Sequence, residues 1–288
     1  NMKLIEKAKE AGIPVIYYIL PTIWAWHKSR GNVIAEYTDL AVSLFPFEAE
    51  MYKKMGTNVV YGGHPLLDTV KPSMSKDEAY SFFGLQPEKK TVLFMPGSRV
   101  QEVQSLYGKM LAAGKLLQNK VKGLQFMVPK ASTIDRYMLE EAAREANLEV
   151  HIGEERVYDM MNIADAAICA SGTATLETAL MGVPTLLVYR VNVLTYWLSK
   201  ILVHLDSIGL PNIISGHRIM PELWQDEVTP ENIEAAVLPW LVDAAASEEA
   251  RHLMVGVRRQ MGEAGAVRRT AEIISEFVKE KQLHEAVQ

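Results

Sequence analysis

The sequence predicts an α/β protein with two parallel sheets and helices on both faces of each. Short runs of β-branched and aromatic residues alternate with segments whose apolar residues recur at helical spacing. At 288 residues the chain is long for one domain, so two are expected. Its 49% hydrophobic and 23% charged residues are typical of a globular protein with a substantial core. Strands that alternate with helices favour parallel pairing.

Three strands are predicted near the start of the chain. They are "PVIYYI" (14–19), "LAVSLF" (40–45) and "NVVYG" (58–62). A short amphipathic helix precedes the first strand, so the chain enters in the middle of an α/β unit. We therefore expect residues 1–74 to form an N-terminal domain that is truncated here and lacks its first strands.

Five further strands are predicted in a second domain, residues 75–250. They are "TVLFMP" (91–96), "LQFMVP" (124–129), "LEVHI" (148–152), "AAICA" (166–170) and "PTLLVY" (184–189). Residues 71–90 are polar, carry two prolines and predict a connection that contains a short helix. Between the first two strands, a buried helix face is predicted from Val103, Leu106, Tyr107, Met110 and Leu111. Residues 251–288 predict a helical tail that packs back toward the N-terminal domain.

Composition excludes several kinds of function. A net charge of −5 and a pI near 5.9 provide no overall basic field for nucleic acid. Cys169 is the only cysteine and lies in an apolar run, which indicates a buried, inert thiol in a reducing compartment. The seven histidines show no local ligand spacing, so no metal site is expected.

The turn "MPGSRVQEV" follows the first strand of the second domain. Gly97 permits a tight turn, and Ser98 with Gln101 has the spacing of a capping box. Capping does not explain Arg99, because a guanidinium in the first turn opposes the helix dipole. A bound phosphate would explain it, since the guanidinium can hold phosphate bidentately. Glu102 either orients Arg99 or faces solvent, and a simple capped helix remains the alternative to an anion site.

The turn "ASGTATLE" follows a later strand. Ser171, Gly172 and Thr173 provide backbone N–H groups at a helix start, where anions bind readily. A capping box cannot explain Glu177, because the residue three positions before it is Ala174. Thr173 and Glu177 share one helix face, so the carboxylate could accept the hydroxyls of a ribose. A solvated helix glutamate is the alternative.

Two aromatic stretches are ambiguous. Trp24 and Trp26 in "PTIWAWHKSR" share a face if the segment is extended, which suits core packing and an acyl chain or membrane interface equally. The amphipathic stretch "VLTYWLSKILVHL", which contains Trp197, is likewise typical of core or of an interfacial helix.

Motifs across nearly the whole chain identify a resemblance. The chain resembles the lipid-A-disaccharide synthases, inverting glycosyltransferases of the GT-B architecture with two Rossmann-like domains. The matching motifs are "PTIWAW" (21–26), "FPFE" (45–48), "GHP" (63–65), "MPGSR..E" (95–102), "ASGTATLE" (170–177), "GVP" (182–184), "VYR" (188–190) and "LPNI" (210–213).

The resemblance implies transfer of 2,3-diacylglucosamine from its UDP derivative to 2,3-diacylglucosamine 1-phosphate. The products would be UDP and the β-1,6-linked lipid A disaccharide 1-phosphate. It also implies a protein peripheral to the cytoplasmic face of the inner membrane of Gram-negative-type bacteria, without metal or other cofactor. A homodimer is a further possibility, and nucleic acid is not an expected partner.

The resemblance also implies site residues. Ser171, Gly172, Thr173 and Ala174 would bind the phosphates and Glu177 the ribose. Arg99 would neutralise UDP as the glycosidic bond breaks. The remaining expected UDP contacts are Gly97, Ser98, Glu102, Arg190 and Asn212. The expected acceptor or lipid contacts are Trp24, Trp26, His64 and Trp197.

The chain departs from the family pattern at its start. Family members begin with a glycine-rich turn and acidic residues, and we expect the general base in that missing segment. His64 is the nearest substitute within the chain, but "GHP" reads equally as a structural turn. Two alternatives therefore stay open, a UDP-binding module without activity and a UDP-sugar 2-epimerase.

Overall fold

The computed structural model describes residues 2–23, 29–190 and 207–287. The chain forms two compact units. The described part of the first comprises 2–23, 29–69 and 261–287, and that of the second comprises 70–190 and 207–260. The units therefore change at residues 69/70 and 260/261, whereas the predicted domains change at 74 and 250.

The first unit contains a three-stranded parallel sheet in the order β1-β2-β3. The strands are β1 (Ile16–Tyr18), β2 (Leu40–Ser43) and β3 (Val59–Tyr61), which confirms the three predicted strands. The helices described in this unit are α1 (Met2–Glu10), α2 (Ser29–Tyr37), α3 (Pro46–Lys54), α4 (Leu66–Thr69) and, from the end of the chain, α13 (Ala266–Val287). A core shared by the sheet and α1 to α3 includes the fully buried side chains of Ile34 and Tyr52.

The second unit contains a six-stranded parallel sheet in the order β6-β5-β4-β7-β8-β9. Its strands are β4 (Thr91–Met95), β5 (Gln125–Pro129), β6 (His151–Gly153), β7 (Ala166–Ala170), β8 (Thr185–Tyr189) and β9 (Glu222–Trp224). Its described helices are α5 (Lys76–Phe83), α6 (Val100–Lys120), α7 (Arg136–Glu145), α8 (Val157–Ile163), α9 (Thr173–Leu180), α10 (Leu210–Ser215), α11 (Pro230–Val242) and α12 (Ala244–Gln260), with a 3₁₀ turn at Gln225–Glu227. The five predicted strands are present, and β9 is an addition.

Core packing follows the predicted apolar pattern. The predicted face of α6 is buried at all five positions, against residues of β4, β5 and β7. Cys169 is fully buried in β7, and burial raises the pKa of its thiol, which confirms the inert interpretation. The connection between the units contains the predicted short helix, α5, which Ser75 and Glu78 begin with a capping box.

The strand order creates a crevice at the carboxyl ends of the strands in the second sheet. From β4 the chain moves outward to β5 and β6, and it then returns to β7 on the other side of β4. The carboxyl ends of β4 and β7 are therefore adjacent at the point where the order reverses. Ligands of open parallel sheets bind at this switch point.

Candidate functional site

A cavity of about 570 Å³ lies at the switch point of the second unit. The residues that line it follow the carboxyl ends of four neighbouring strands, β4 to β7. They are residues 95–99, 129–131, 154–157 and 170–174, together with Glu102 and Glu177. The structure thus brings the two predicted turns, at 95–103 and 170–177, to one cavity.

The first junction joins β4 to α6. Gly97 has φ 111°, and a Cβ at this position would collide with the carboxylate of Glu102. That carboxylate accepts hydrogen bonds from the backbone N–H groups of Ser98 (3.2 Å) and Arg99 (3.3 Å). The predicted capping box of Ser98 and Gln101 is wrong, because Arg99 is the N-cap and Glu102 occupies the third helical position.

Arg99 is the most exposed charge of this junction. Its side chain is 81% exposed, and its Nη1 lies 2.7 Å from Oε1 of Glu102. Of the two interpretations of Glu102, the structure shows the one in which it orients Arg99. Because an exposed ion pair contributes only about 0–1 kcal/mol, Arg99 can turn toward an anion at small cost. Thr133 Oγ1 also donates to the carbonyl of Ser98, which ties the loop after β5 to this junction.

The second junction joins β7 to α9. Gly172 has φ 152° and ψ −164°, a region that is essentially restricted to glycine. A Cβ at Gly172 would find no atom within 4 Å, so the space above it is open. No side chain caps α9, and the N–H groups of Thr173 and Ala174 have no intrahelical acceptor. Such groups, together with the helix dipole, form an anion site.

Glu177 lies one turn into α9 and lines the cavity. It is half-buried, and its Oε1 accepts a hydrogen bond of 2.8 Å from the hydroxyl of Tyr158. Glu177 is thus not the solvated helix glutamate that was the alternative. Tyr158 was not predicted as a site residue, because its pairing with Glu177 depends on how α8 and α9 are placed.

Two further cations at the cavity were also missed, Lys130 and Arg156. Lys130 follows β5, and its Nζ lies 3.4 Å from the carbonyl of Ile134. Arg156 has φ 61°, donates to Ser73 Oγ (2.9 Å) and lies 5.3 Å from the ring centre of Phe82. The sequence signal for both was weak, since each follows a short strand without a glycine-rich turn.

Carboxylates balance these cations. Four line the cavity, from Glu102, Glu154, Glu155 and Glu177. Glu154 pairs with Arg136 at 3.3 Å, and Glu102 and Glu177 have the partners described above. Attraction for an anion is therefore expected at the helix start of α9 and at Arg99, not over the whole cavity wall.

Asn212 is not among the described residues that line this cavity, and its expected UDP contact stays a prediction. Its side chain is 2% exposed, and both of its polar atoms are occupied. Oδ1 accepts from the N–H groups of Ile219 and Met220, and Nδ2 donates to the Met220 carbonyl and to Glu222 Oε1. These hydrogen bonds hold α10 against β9 and the residues just before it. Arg190 is exposed directly after β8 and is not among the lining residues.

His64 belongs to the first unit and has a structural environment. It is 7% exposed, and burial lowers its pKa to about 4. Its Nδ1 accepts a hydrogen bond from the N–H of Leu66, and its ring lies 5.0 Å from that of Phe45. The proton must then reside on Nε2, which has no lone pair for a general base. The structure therefore favours the turn interpretation of "GHP", and the expected acceptor contact of His64 stays a prediction.

Some predictions fall outside the part of the chain that the structure describes. Trp24, Trp26 and Trp197 are among them. Within the described residues, no helix is long and apolar enough to cross a membrane. In the same residues, no group of three or more His, Cys, Asp or Glu side chains is placed to hold a metal ion.

Solved structures of low sequence identity share the fold. The Staphylococcus aureus MnaA–UDP co-structure has a TM-score of 0.65 at 14% identity, covering 96% of this chain and 72% of that one. The UDP-GlcNAc 2-epimerase of Neisseria meningitidis, bound to UDP-GlcNAc, has a TM-score of 0.64 at 13% identity, covering 96% and 73%. These matches confirm the predicted pair of Rossmann-like domains.

Sequence comparison is more specific. The family described as "Lipid-A-disaccharide synthetase" matches residues 1–277. The lipid-A-disaccharide synthase of Geobacter metallireducens is 42% identical over 282 residues, covering 98% of this chain and 73% of that protein. That of Syntrophus aciditrophicus is 39% identical over 284 residues, covering 97% and 73%. The chain belongs to the lipid-A-disaccharide synthase family and is a glycosyltransferase of lipid A biosynthesis.

Proposed function

We propose that the chain transfers 2,3-diacylglucosamine from its UDP derivative to 2,3-diacylglucosamine 1-phosphate, releasing UDP and lipid A disaccharide 1-phosphate. One observation carries the nucleotide half of this proposal. The uncapped start of α9 and the guanidinium of Arg99 face one cavity at the switch point of the second unit. The family supports the acylated sugars.

Each group at the cavity has a part in binding the nucleotide. The N–H groups of Thr173 and Ala174 bind the diphosphate, and the absence of a Cβ on Gly172 lets it approach the backbone. Glu177 accepts the ribose hydroxyls one turn further along the helix. Ser171, Gly97 and Ser98 complete the wall around the phosphates.

Arg99 acts on the leaving group. Negative charge grows on the β-phosphate of UDP as the glycosidic bond breaks, and a guanidinium beside it stabilises that charge. Glu102 holds Arg99 at the cavity by an ion pair until the diphosphate replaces it as the closer anion. The acceptor hydroxyl attacks the opposite face of the sugar, which inverts its configuration and requires a base for the hydroxyl proton.

Two measurements test this proposal. Calorimetry should show binding of UDP that weakens on going to UMP and then to uridine, because each step removes a phosphate from the start of α9. Incubation with both acylated sugars should yield disaccharide and UDP. Binding without product would support the inactive module instead, and consumption of the UDP-sugar without acceptor would support an epimerase.

We also propose that turnover requires no divalent cation, because Arg99 supplies the positive charge beside the diphosphate. Addition of a chelator should leave the rate within about twofold, a change smaller than loss of any transition-state donor. A large loss that added Mg²⁺ restores would overturn this assignment.

The remaining proposals concern location and assembly. The family's acylated substrates support a position at the cytoplasmic face of the inner membrane, with the stretch that contains Leu194 and Trp197 in contact with lipid. Polar replacements at these two positions should reduce vesicle binding of a folded protein, and unchanged binding would contradict this role. A homodimer was the further possibility named from the sequence, and sedimentation velocity measures the oligomeric state directly.

A further inference from the structure

The hydrogen bond between Tyr158 and Glu177 joins two helices at the cavity. Tyr158 is the second residue of α8, and Glu177 is the fifth residue of α9. The hydroxyl lies 2.8 Å from Oε1 of the carboxylate. Glu177 lines the cavity and Tyr158 does not. The hydroxyl of Tyr158 therefore reaches the cavity through the carboxylate of Glu177.

The helix that carries Tyr158 is fixed at the same turn. Asp159, the next residue, is 2% exposed and accepts hydrogen bonds from the N–H and hydroxyl of Ser73 and from the N–H of Met74. The ring of Tyr158 also packs against the apolar cluster below the sheet. These contacts hold the phenol hydroxyl in one place, as the role of a positioning residue requires.

We propose that Tyr158 is a positioning residue that aims the Glu177 carboxylate at the ribose and thereby favours ribonucleotides over 2′-deoxyribonucleotides. This inference rests on the proposed nucleotide site. Tyr158 occupies Oε1 and limits the rotation of the side chain, so that Oε2 keeps one orientation toward the cavity. Two vicinal hydroxyls can both donate to a carboxylate held in this way, whereas a 2′-deoxyribose presents only one donor.

Tyr158→Phe tests the proposal, because it keeps the ring packing and removes only the hydroxyl. The dissociation constant for UDP, measured by calorimetry, should rise about fivefold to tenfold, the scale of one intramolecular hydrogen bond. That for 2′-deoxy-UDP should rise less, so the preference for UDP should fall.

A double-mutant cycle separates positioning from a general structural effect. Glu177→Ala alone should weaken UDP binding. Tyr158→Phe added to Glu177→Ala should cause no further loss, because the group on which Tyr158 acts is gone. The matched control is Tyr137→Phe, which removes a tyrosine–glutamate bond to Glu141 (3.1 Å) on the exposed face of α7. It should leave both nucleotide affinities unchanged.

The outcomes are distinguishable. Equal weakening of UDP and 2′-deoxy-UDP by Tyr158→Phe, or a persistent loss in the Glu177→Ala background, would overturn the positioning role while the ribose contact stands. Unchanged UDP affinity in Glu177→Ala would instead overturn the ribose contact itself. The thermal unfolding midpoint of each variant verifies that a loss of affinity is not a loss of fold.

Discussion

The two junctions of the second unit contain the same kinds of residue, but the glutamate occupies a different helix position in each. Each has a glycine with positive φ, a helix that starts directly after a buried strand, and one glutamate within the first turns. In the first junction Glu102 is the third helical residue and accepts from the backbone N–H groups before it. In the second, Glu177 is the fifth residue and accepts instead from Tyr158 of another helix.

The glutamate lies two positions further into α9 than into α6, and this difference determines which groups each helix start can present to a ligand. An acid at the third position reaches back to the N-cap and satisfies its own backbone, so the first junction presents a guanidinium. An acid at the fifth position faces sideways from the helix, so the second junction keeps unpaired N–H groups for an anion. The structure thus pairs a side-chain cation with a backbone anion site across one cavity.

Removal of the guanidinium should have the largest effect. Arg99→Ala should lower turnover by about 100-fold or more, the scale of a lost transition-state donor, while UDP affinity falls much less. Steady-state rates with both acylated sugars measure the first quantity and calorimetry the second. Arg268→Ala, which breaks an exposed arginine–glutamate pair outside the cavity, is the control. A near-normal rate for Arg99→Ala would remove the leaving-group role.

Closure of the open space in the second junction should have the next largest effect. Gly172→Ala places a methyl group where the phosphates are expected and forces alanine into a strained conformation that costs about 1–3 kcal/mol. The dissociation constant for UDP should rise about tenfold or more.

Gly216 provides a matched control for this change. It also has positive φ and no atom within 4 Å of a Cβ, but it lies outside the cavity. Gly216→Ala should reduce stability without changing UDP affinity. If both variants bind UDP normally, the diphosphate does not contact the start of α9.

The sequence was informative where the structure is local. The strands and helix faces follow from periodicity, and Gly97, Arg99, Gly172 and Glu177 could be predicted because each junction spans fewer than ten residues. The capping box was misassigned by one residue, since Ser98 and Arg99 both precede an acid or amide at suitable spacing.

Features that depend on packing could not be predicted in this way. Tyr158 meets Glu177 only because α8 and α9 follow strands of the same sheet. The hydrogen bonds of Asn212 to the backbone of Ile219 and Met220 could not be predicted either, because those residues meet it only in the folded chain. Strand β9 was missed because it has three residues and begins with the buried Glu222, which accepts from Gly209 N–H and Trp224 Nε1.

The roles of the two glutamates can be separated by comparing stability with binding. Glu102→Ala removes the acceptor for two N–H groups and should lower the free energy of unfolding by about 1 kcal/mol, as loss of a cap does. Glu177→Gln keeps an acceptor for Tyr158 and should change stability by less than about 0.5 kcal/mol, yet it should weaken UDP binding. Denaturant midpoints and calorimetry measure the two effects. The reverse pattern would contradict the assignment of cap and ligand.

The smallest expected effect is a change in the pKa of Tyr189, which ends β8 beside the first junction. Burial raises this pKa most, Glu102 raises it further, and Arg99 lowers it. Arg99→Ala should therefore raise the pKa of Tyr189 and Glu102→Gln should lower it. Absorbance titration of each variant, minus its Tyr189→Phe counterpart, isolates this phenol.

The same shift has a consequence for stability at high pH. A phenol whose pKa is raised in the folded state ionises first in the unfolded chain, so its contribution to stability is lost as the pH rises above about 10. Glu102→Gln should weaken that loss and Arg99→Ala should strengthen it. If both variants shift the pKa of Tyr189 in the same direction, the charges of Arg99 and Glu102 do not control this pKa. The ion pair would then lie farther from Tyr189 than the structure places it.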